Sequence, residues 1–332
     1  MDTNDYLLLI SLKRVLKTTS LNIGYGKKSV QRDLCLTASD GEMICLVGKN
    51  GTGKSTLLRT LAGLQKPLGG AVTVRGQNVA HLTNAQRATL LSLVLTDNIA
   101  VENLTLHDLV AMGRFPYTNW AGRLSDDDEQ IVETVLRQVD LAHKAHAFVS
   151  EVSDGERQRS IIAKALAQDT PLVLLDEPTA HLDLPNRIEI MLLLRQLSAD
   201  TRKTFILSTH ELDLALQMAD RLWLMDSQGV RTGIPEDLML TGEIAAAFGS
   251  DHFRFDPASG HCVVASPACS RFVAIEGDTV VAAWLQRALA RHGIGTQNGA
   301  EISIKATNDG FELLGQKTHT IEATLRLLEA NR

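Results

Sequence analysis

The sequence is poor in several residue classes, and each shortage excludes something. Aromatic residues make up 4% of its 332 residues and cysteine occurs four times. No apolar run approaches the roughly 18 residues of a membrane-spanning helix, which excludes an integral channel or carrier built on such helices. Leu7-Leu8-Leu9-Ile10 is too short, and acidic Asp2 and Asp5 stand where a secretory leader carries positive charge. Positive charge is in deficit: the net charge is −6, so no global field favours nucleic acid, and none is expected as a partner. Cys35 and Cys45 fall in apolar strand-like segments and are expected to be small core residues. Cys262 and Cys269 have a spacing that matches no common metal pattern. A reducing, cytoplasmic setting is expected. At 44% hydrophobic and 22% charged, the chain has the composition of a soluble globular protein, long enough for one large domain and a smaller one.

What is present is organised around Gly48-Lys49-Asn50-Gly51-Thr52-Gly53-Lys54-Ser55-Thr56. An apolar run, Met43 to Val47, precedes it and a helix-like stretch, Leu57 to Ala62, follows. Strand, glycine-rich turn and helix form the context of a phosphate-binding loop. Gly48, Gly51 and Gly53 leave no Cβ in the way, so backbone N–H groups around them and Asn50 can face phosphate oxygens. Lys54 is expected to reach the β- and γ-phosphates, and the hydroxyl of Ser55 to ligate Mg²⁺. The chain is therefore expected to bind a nucleoside triphosphate.

Other segments add to this loop. Val15 to Ile23 reads as an edge strand, ending at Tyr25 between two glycines, where the ring can stack on a base or simply close a turn. Asp33 to Thr37 reads as a second strand, with further strands at Ala71 to Val74 and Leu90 to Leu95. The last ends at Thr96-Asp97-Asn98. From about residue 99 to 160 helices replace strands: Thr105 to Met112, and Asp126 to Val139 behind a Ser125 cap. Between them Gly113-Arg114-Phe115-Pro116-Tyr117 has the composition of an exposed docking loop, or of a packed interhelical one. Ser153 and Gly155, at the start of another helix, make a second anion-binding helix terminus or an ordinary cap.

Pro171 to Pro178 is a continuous apolar run ending in Asp176 and Glu177, as in a central parallel strand. Asp176 is suited to hold Mg²⁺ through its water shell, and Glu177 to polarise an attacking water as general base. His181-Leu182-Asp183 follows, then a helix from Asn186 to Leu197 and a strand from Thr204 to Ser208. His210, just past that strand, faces the ligand crevice of an α/β sheet.

Taken in order, these motifs closely resemble the ATP-binding subunit of ABC transporters: an aromatic A-loop (Tyr25), Walker A (Gly48 to Thr56), a signature-like motif (Val152 to Glu156), Walker B with its glutamate (Asp176, Glu177), a D-loop (His181 to Asp183) and a switch histidine (His210). The resemblance spans about residues 14 to 245. It implies an α/β fold, a P-loop NTPase of ABC type with a helical subdomain at about 99–160, inside an ATPase domain of residues 1–250. It further implies ATP and Mg²⁺, with Lys54, Glu177 and His210 catalytic, and Ser55, Asp176 and Thr96 around the metal. Tyr25, the loop from Gly48 to Thr56, Ser153, Gly155, Glu156 and Asp183 would contact nucleotide across a head-to-tail dimer of two copies.

Two departures stand out. The family usually has Gln where this chain has Thr96, and its signature usually reads Ser-Gly-Gly-Gln where this chain has Ser153-Asp154-Gly155-Glu156. Within the family, residues 113–117 and 178–184 look like importers of iron chelates, haem and cobalamin. That group implies two polytopic permease subunits, an extracytoplasmic substrate-binding protein and a place on the cytoplasmic face of the plasma membrane. A soluble ABC ATPase without a permease, or a low-turnover regulatory switch, are the alternatives. Residues 251–332 lie outside the ATPase resemblance. Strand-like and helical stretches alternate there, which suggests a small α+β accessory domain, ferredoxin-like in order, for regulation or dimer contact.

Overall fold

The computed structural model describes residues 14–95, 103–118, 122–249, 253–256, 260, 262–264, 269 and 271–331. The chain divides into two compact units, residues 1–249 with 255–261, and residues 250–254 with 262–332. No helix among the described residues is long and apolar enough to cross a membrane.

In the first unit the strands run, in chain order, β1 Arg14–Tyr25, β2 Lys28–Leu34, β3 Thr37–Ser39, β4 Met43–Val47, β5 Gly69–Val74, β6 Gln77–Asn78, β7 Leu91–Val94, β8 Leu172–Asp176, β9 Thr204–Ser208, β10 Arg221–Asp226 and β11 Gly229–Gly233. They form two sheets. One has the order β11-β10-β4-β9-β8-β7, parallel throughout except for the antiparallel β11. The other is antiparallel, in the order β2-β1-β5-β6 with β3 also on β1.

Two expectations for this region fail. β1 is an interior strand, because its twelve residues are long enough to pair with β5 on one side and with β2 and β3 in succession on the other. Asp33 to Thr37 is not one strand either. The buried hydroxyl of Thr18 donates to Leu34 O (2.8 Å) and accepts from Leu36 N (2.7 Å), so a side chain replaces the ladder between β2 and β3. Leu34 and Leu36 then point inward, and Cys35 between them is exposed rather than a core residue.

The central strands β4, β8 and β9 are buried along their whole length. Their alternation feeds two separate cores. Met43, Cys45, Val47, Val173, Leu175, Phe205 and Leu207 face a core shared with the helices Leu106–Ala111, Asp126–Gln138, Asp154–Ala167 and Leu184–Thr201. Ile44, Leu46, Leu172, Leu174 and Ile206 face the other, with the helix Lys54–Leu61 and the antiparallel sheet. Burial also pushes the Cys45 thiol up to about 12, which makes it an inert packing group.

The helix Leu106–Ala111 runs on as a 3-10 helix, Met112–Tyr117, instead of ending in a loop, and each of the two readings of residues 113–117, exposed and packed, holds for part of it. Gly113 is pressed on the neighbouring helix, where a Cβ would stand 2.2 Å from Lys164 O. Arg114 turns inward. Its Nε donates to Asp128 Oδ1 (2.8 Å), its Nη1 donates to Ala167 O (2.8 Å), and its guanidinium carbon lies 4.1 Å from the Tyr117 ring centre. Phe115 (58%) and Tyr117 (41%) remain exposed.

In the second unit, strands Ile294–Thr296, Arg271–Gly277, Ser303–Thr307, Gly310–Leu313 and Gln316–Thr318 lie in that order in one sheet. The helices Thr279–Arg291 and Ile321–Ala330 supply Leu285, Leu289 and Leu328 to its core. The unit is α+β, but its order is not ferredoxin-like. Ile294–Thr296 pairs directly and in parallel with the start of Arg271–Gly277, so no antiparallel strand splits that βαβ unit.

Candidate active site

β4, an apolar strand with no exposed face, delivers the glycine-rich loop to the carboxyl end of the parallel sheet. Gly48 must be glycine: a Cβ there would stand 2.2 Å from Met225 O. Gly53 has φ +110° and lies against Val30, where a Cβ would approach Cγ1 to 2.5 Å. The loop is thus pressed on its inner side, while Lys49, Asn50 and Gly51 stay exposed. Gln31, which the sequence reading missed, braces it: Nε2 donates to Thr52 O (3.2 Å) and Asp226 O (2.6 Å). Strict alternation from Leu34 would turn Gln31 outward. The left-handed Asp33 (φ 53°) breaks that alternation and turns it in.

Lys54 opens the following helix and folds back, its Nζ donating to Gly48 O (2.8 Å) and Lys49 O (3.3 Å). Burial lowers its pKa from the ordinary lysine value, opposed by the nearby carboxylates of Glu177 and Asp176. Ser55 Oγ donates to Asp176 Oδ1 (3.1 Å), and Ser208 Oγ donates to the same oxygen (2.7 Å). Ser208 also accepts from Glu177 N (2.9 Å). Glu177 sits in the left-handed region (φ 50°), a turn that sends its carboxylate to His210, with Nε2 2.6 Å from Oε1. Lys54, Ser55, Asp176, Glu177 and His210 therefore form one cluster at the ends of β4, β8 and β9. Ser208 is a second residue that sequence reasoning missed; its one signal is a hydroxyl ending an apolar strand. Tyr25, half-exposed at the end of β1, meets the Thr56 hydroxyl (3.0 Å).

The remaining predicted residues lie apart from this cluster. Ser153 caps the helix Asp154–Ala167 in a capping box, accepting from Glu156 N (3.3 Å) while Glu156 Oε2 accepts from Ser153 N (3.1 Å). Lys144 Nζ pairs with Glu156 Oε1 (2.6 Å), and that hydrogen bond is the first cause holding the Glu156 carboxyl below its ordinary value. Asp154 is turned to solvent and paired with Arg157 (2.8 Å). Both unexpected acids of the signature thus have a cation of their own. Asp183 caps the helix Leu184–Thr201, accepting from the Asn186 backbone (3.1 Å) and side chain (2.7 Å). Asn186 in turn packs on Gly155, where a Cβ would meet its Oδ1 at 2.3 Å. Among the described residues no hydrogen bond joins Ser153, Gly155, Glu156 or Asp183 to the residues from Gly48 to Thr56. Thr96 and Asp97 lie outside the described residues.

The donors fit a triphosphate with Mg²⁺. A glycine cradle and a lysine suit phosphate oxygens, while a hydroxyl and one carboxylate on a shared hydrogen bond are hard oxygen ligands. Among the described residues no three His, Cys, Asp or Glu side chains could hold a metal unaided.

Residues 31–180 match the family model for ABC transporter, and residues 269–329 the model for Iron ABC transporter C-terminal domain. The achromobactin transport ATP-binding protein CbrD of Dickeya dadantii is 38% identical over 232 residues, 70% of this chain and 86% of that protein. The ferric enterobactin transport ATP-binding protein FepC of Escherichia coli is 34% identical over 235 residues, 70% of this chain and 87% of that protein. Among solved structures, an inward-facing metal-chelate type ABC transporter superposes with a TM-score of 0.64 at 26% identity, covering 73% of this chain and 90% of that one.

Proposed function

Because the chain belongs to the family of ABC transporter ATP-binding proteins, we propose that it hydrolyses ATP to drive import of an iron chelate through a membrane permease. The observation that carries this reading is the hydrogen-bonded cluster of Ser55, Asp176, Ser208, Glu177 and His210 beside Lys54. The match of residues 269–329 to an iron-transporter domain favours an iron chelate over cobalamin, a choice the relatives do not make, since a cobalamin import ATP-binding protein is as similar as the enterobactin one.

In this reading the backbone of Gly48 to Gly53 and the Lys54 ammonium bind the β- and γ-phosphates, and Tyr25 offers its half-exposed ring to the base. Ser55 and Asp176 would hold Mg²⁺, which supplies charge neutralisation between the phosphates. Glu177 accepts a proton from the attacking water, and His210 fixes the carboxylate that does so. Ser153, Gly155, Glu156 and Asp183 stand apart from this cluster and are assigned to the nucleotide of a second copy, in a head-to-tail dimer. Two permease subunits that span the plasma membrane and an extracytoplasmic binding protein complete the assembly, with this chain on the cytoplasmic face. The test is ATPase activity and uptake of a ferric siderophore, haem and cobalamin by the chain reconstituted with its permease. Lys54→Ala should lose most hydrolysis, whereas Glu177→Gln should bind ATP yet stall. Wild-type turnover in both variants would overturn the assignment.

A further inference from the structure

Beyond the Glu177 N–Ser208 Oγ bond at the strand ends, two side-chain links among the described residues join the turn bearing Glu177 to the loop bearing His210. The first is the Glu177–His210 contact itself. The second runs through Arg187, one turn into the helix Leu184–Thr201. Its Nε donates to Leu182 O (2.6 Å), and its Nη1 donates to Glu211 Oε1 (2.7 Å). Leu182 is buried in the core. It is tied back toward Glu177 by two tight turns, Ala180 N to Glu177 O (3.0 Å) and Leu182 N to Thr179 O (3.4 Å). Glu211 follows His210 directly and is fixed by its own N–H to Thr209 Oγ1 (3.0 Å). The circuit therefore closes: Glu177, the turn to Leu182, Arg187, Glu211, His210, and Glu177 again.

We propose that Arg187 is a positioning residue that couples the segment His181–Asp183 to the Glu177–His210 pair, resting on the catalytic reading of that pair given above. Three observations support this role over a purely structural one. Arg187 and Glu211 are both half-buried, an exposure at which an ion pair adds little stability. The planar guanidinium fork satisfies a backbone carbonyl on one loop and a carboxylate on the other at fixed angles, which a lysine point charge cannot do. Asp183 is the helix cap four residues before Arg187, so whatever meets Asp183 acts on the first turn of the same helix. Displacing that turn moves Leu182 and Glu211 together, and His210 with them.

The experiment uses the purified full chain, with ATP binding, kcat, KM and the unfolding midpoint measured for Arg187→Met, Glu211→Gln and the pair combined. Each single change should lower kcat about ten-fold with KM, ATP binding and unfolding midpoint unchanged, and the double should be no worse than the poorer single. Arg187→Lys should fall between wild type and Arg187→Met. Multiplying effects in the double, or a rise in KM in step with a lost midpoint, would overturn the coupling. Should Arg187→Met fail to fold, Glu211→Gln removes the charge from the same link without touching the helix Leu184–Thr201. Glu177→Gln in the same assay tests the premise: if it turns over normally, the catalytic reading fails. If it stalls while Arg187→Met and Glu211→Gln run at wild-type rate, the coupling alone fails.

Discussion

Arg114 Nε donates to Asp128 Oδ1 at 2.8 Å, and both side chains are buried. The pair ties the 3-10 helix Met112–Tyr117 to the first turn of Asp126–Gln138, and the second bond to Ala167 O ties in the end of a third helix. Removing the arginine takes the cation from a buried carboxylate, which keeps only its Ser125 bonds, and the side-chain donor from Ala167 O. Arg114→Ala should therefore cost about 3 kcal/mol in urea unfolding, the range for breaking a buried pair from one side. A loss under about 0.5 kcal/mol, the size of an ordinary surface change, would show the pair to be dispensable.

The same carboxyl predicts an acid limb. Asp128 is held at about 2, first by the Ser125 N–H, then by its hydroxyl, with Arg114 adding to them. A pKa lowered in the folded state means a contribution present above the ordinary value of 3.8 and lost as pH falls from there through about 2. Between pH 4 and pH 2, wild type should lose more stability than Asp128→Asn does. Parallel curves for the two proteins would contradict this.

Lys144 makes a separate prediction about nucleotide. In the proposed head-to-tail dimer, loss of this partner would leave the Glu156 carboxylate, at the end of the signature-like motif, facing the other copy's phosphate without compensation. Lys144→Met should raise the KM for ATP by roughly five-fold through like-charge repulsion, and Glu156→Gln in the same chain should restore it. No rescue by the second change would mean that Lys144 acts only on the fold.

Phe115 is a cleaner probe of permease docking than its neighbour. Tyr117 is held by Arg114 and donates to Gln168 O (2.9 Å), whereas Phe115 is 58% exposed. Phe115→Ala should leave ATP binding intact and weaken association with the permease by about 2 kcal/mol, roughly thirty-fold, as for an interface anchor. Unchanged affinity in a pull-down titration would place docking elsewhere.

What the sequence made legible was what a few adjacent residues decide among themselves. The strand, glycine turn and helix at Gly48 to Leu61 is one such unit, and the caps at Ser125 and Ser153 close on residues three positions away. The apolar runs of β8 and β9 were equally plain, since burial on both faces leaves no alternation to misread. Features set by distant pairing were not. Thr18 replaces a ladder bond from 16 residues away, and Gln31 reaches Asp226 across 195. The choice between an exposed and a packed segment at Arg114 stays open in the sequence because nothing near it announces Asp128 or Ala167 as partners. The strands Ile294–Thr296 and Gln316–Thr318 are three residues each, too short to carry a period.

β4 lies between β9 and β10, with strand partners on both sides at Ile44, Cys45 and Leu46. Met43, Cys45 and Val47 answer to one core, Ile44 and Leu46 to the other, and Gly48 at its end abuts Met225 O. Close-packed interiors transmit the volume of a single methylene, so the loop's position is set by both cores at once. For a lineage of such chains, inherited change along β4 has no free direction: a larger residue on either face must be answered by a smaller one opposite. The tolerance of this strand in a saturation mutagenesis library should accordingly be lower than that of β1, where Arg14, Lys17, Thr19 and Ser20 are exposed.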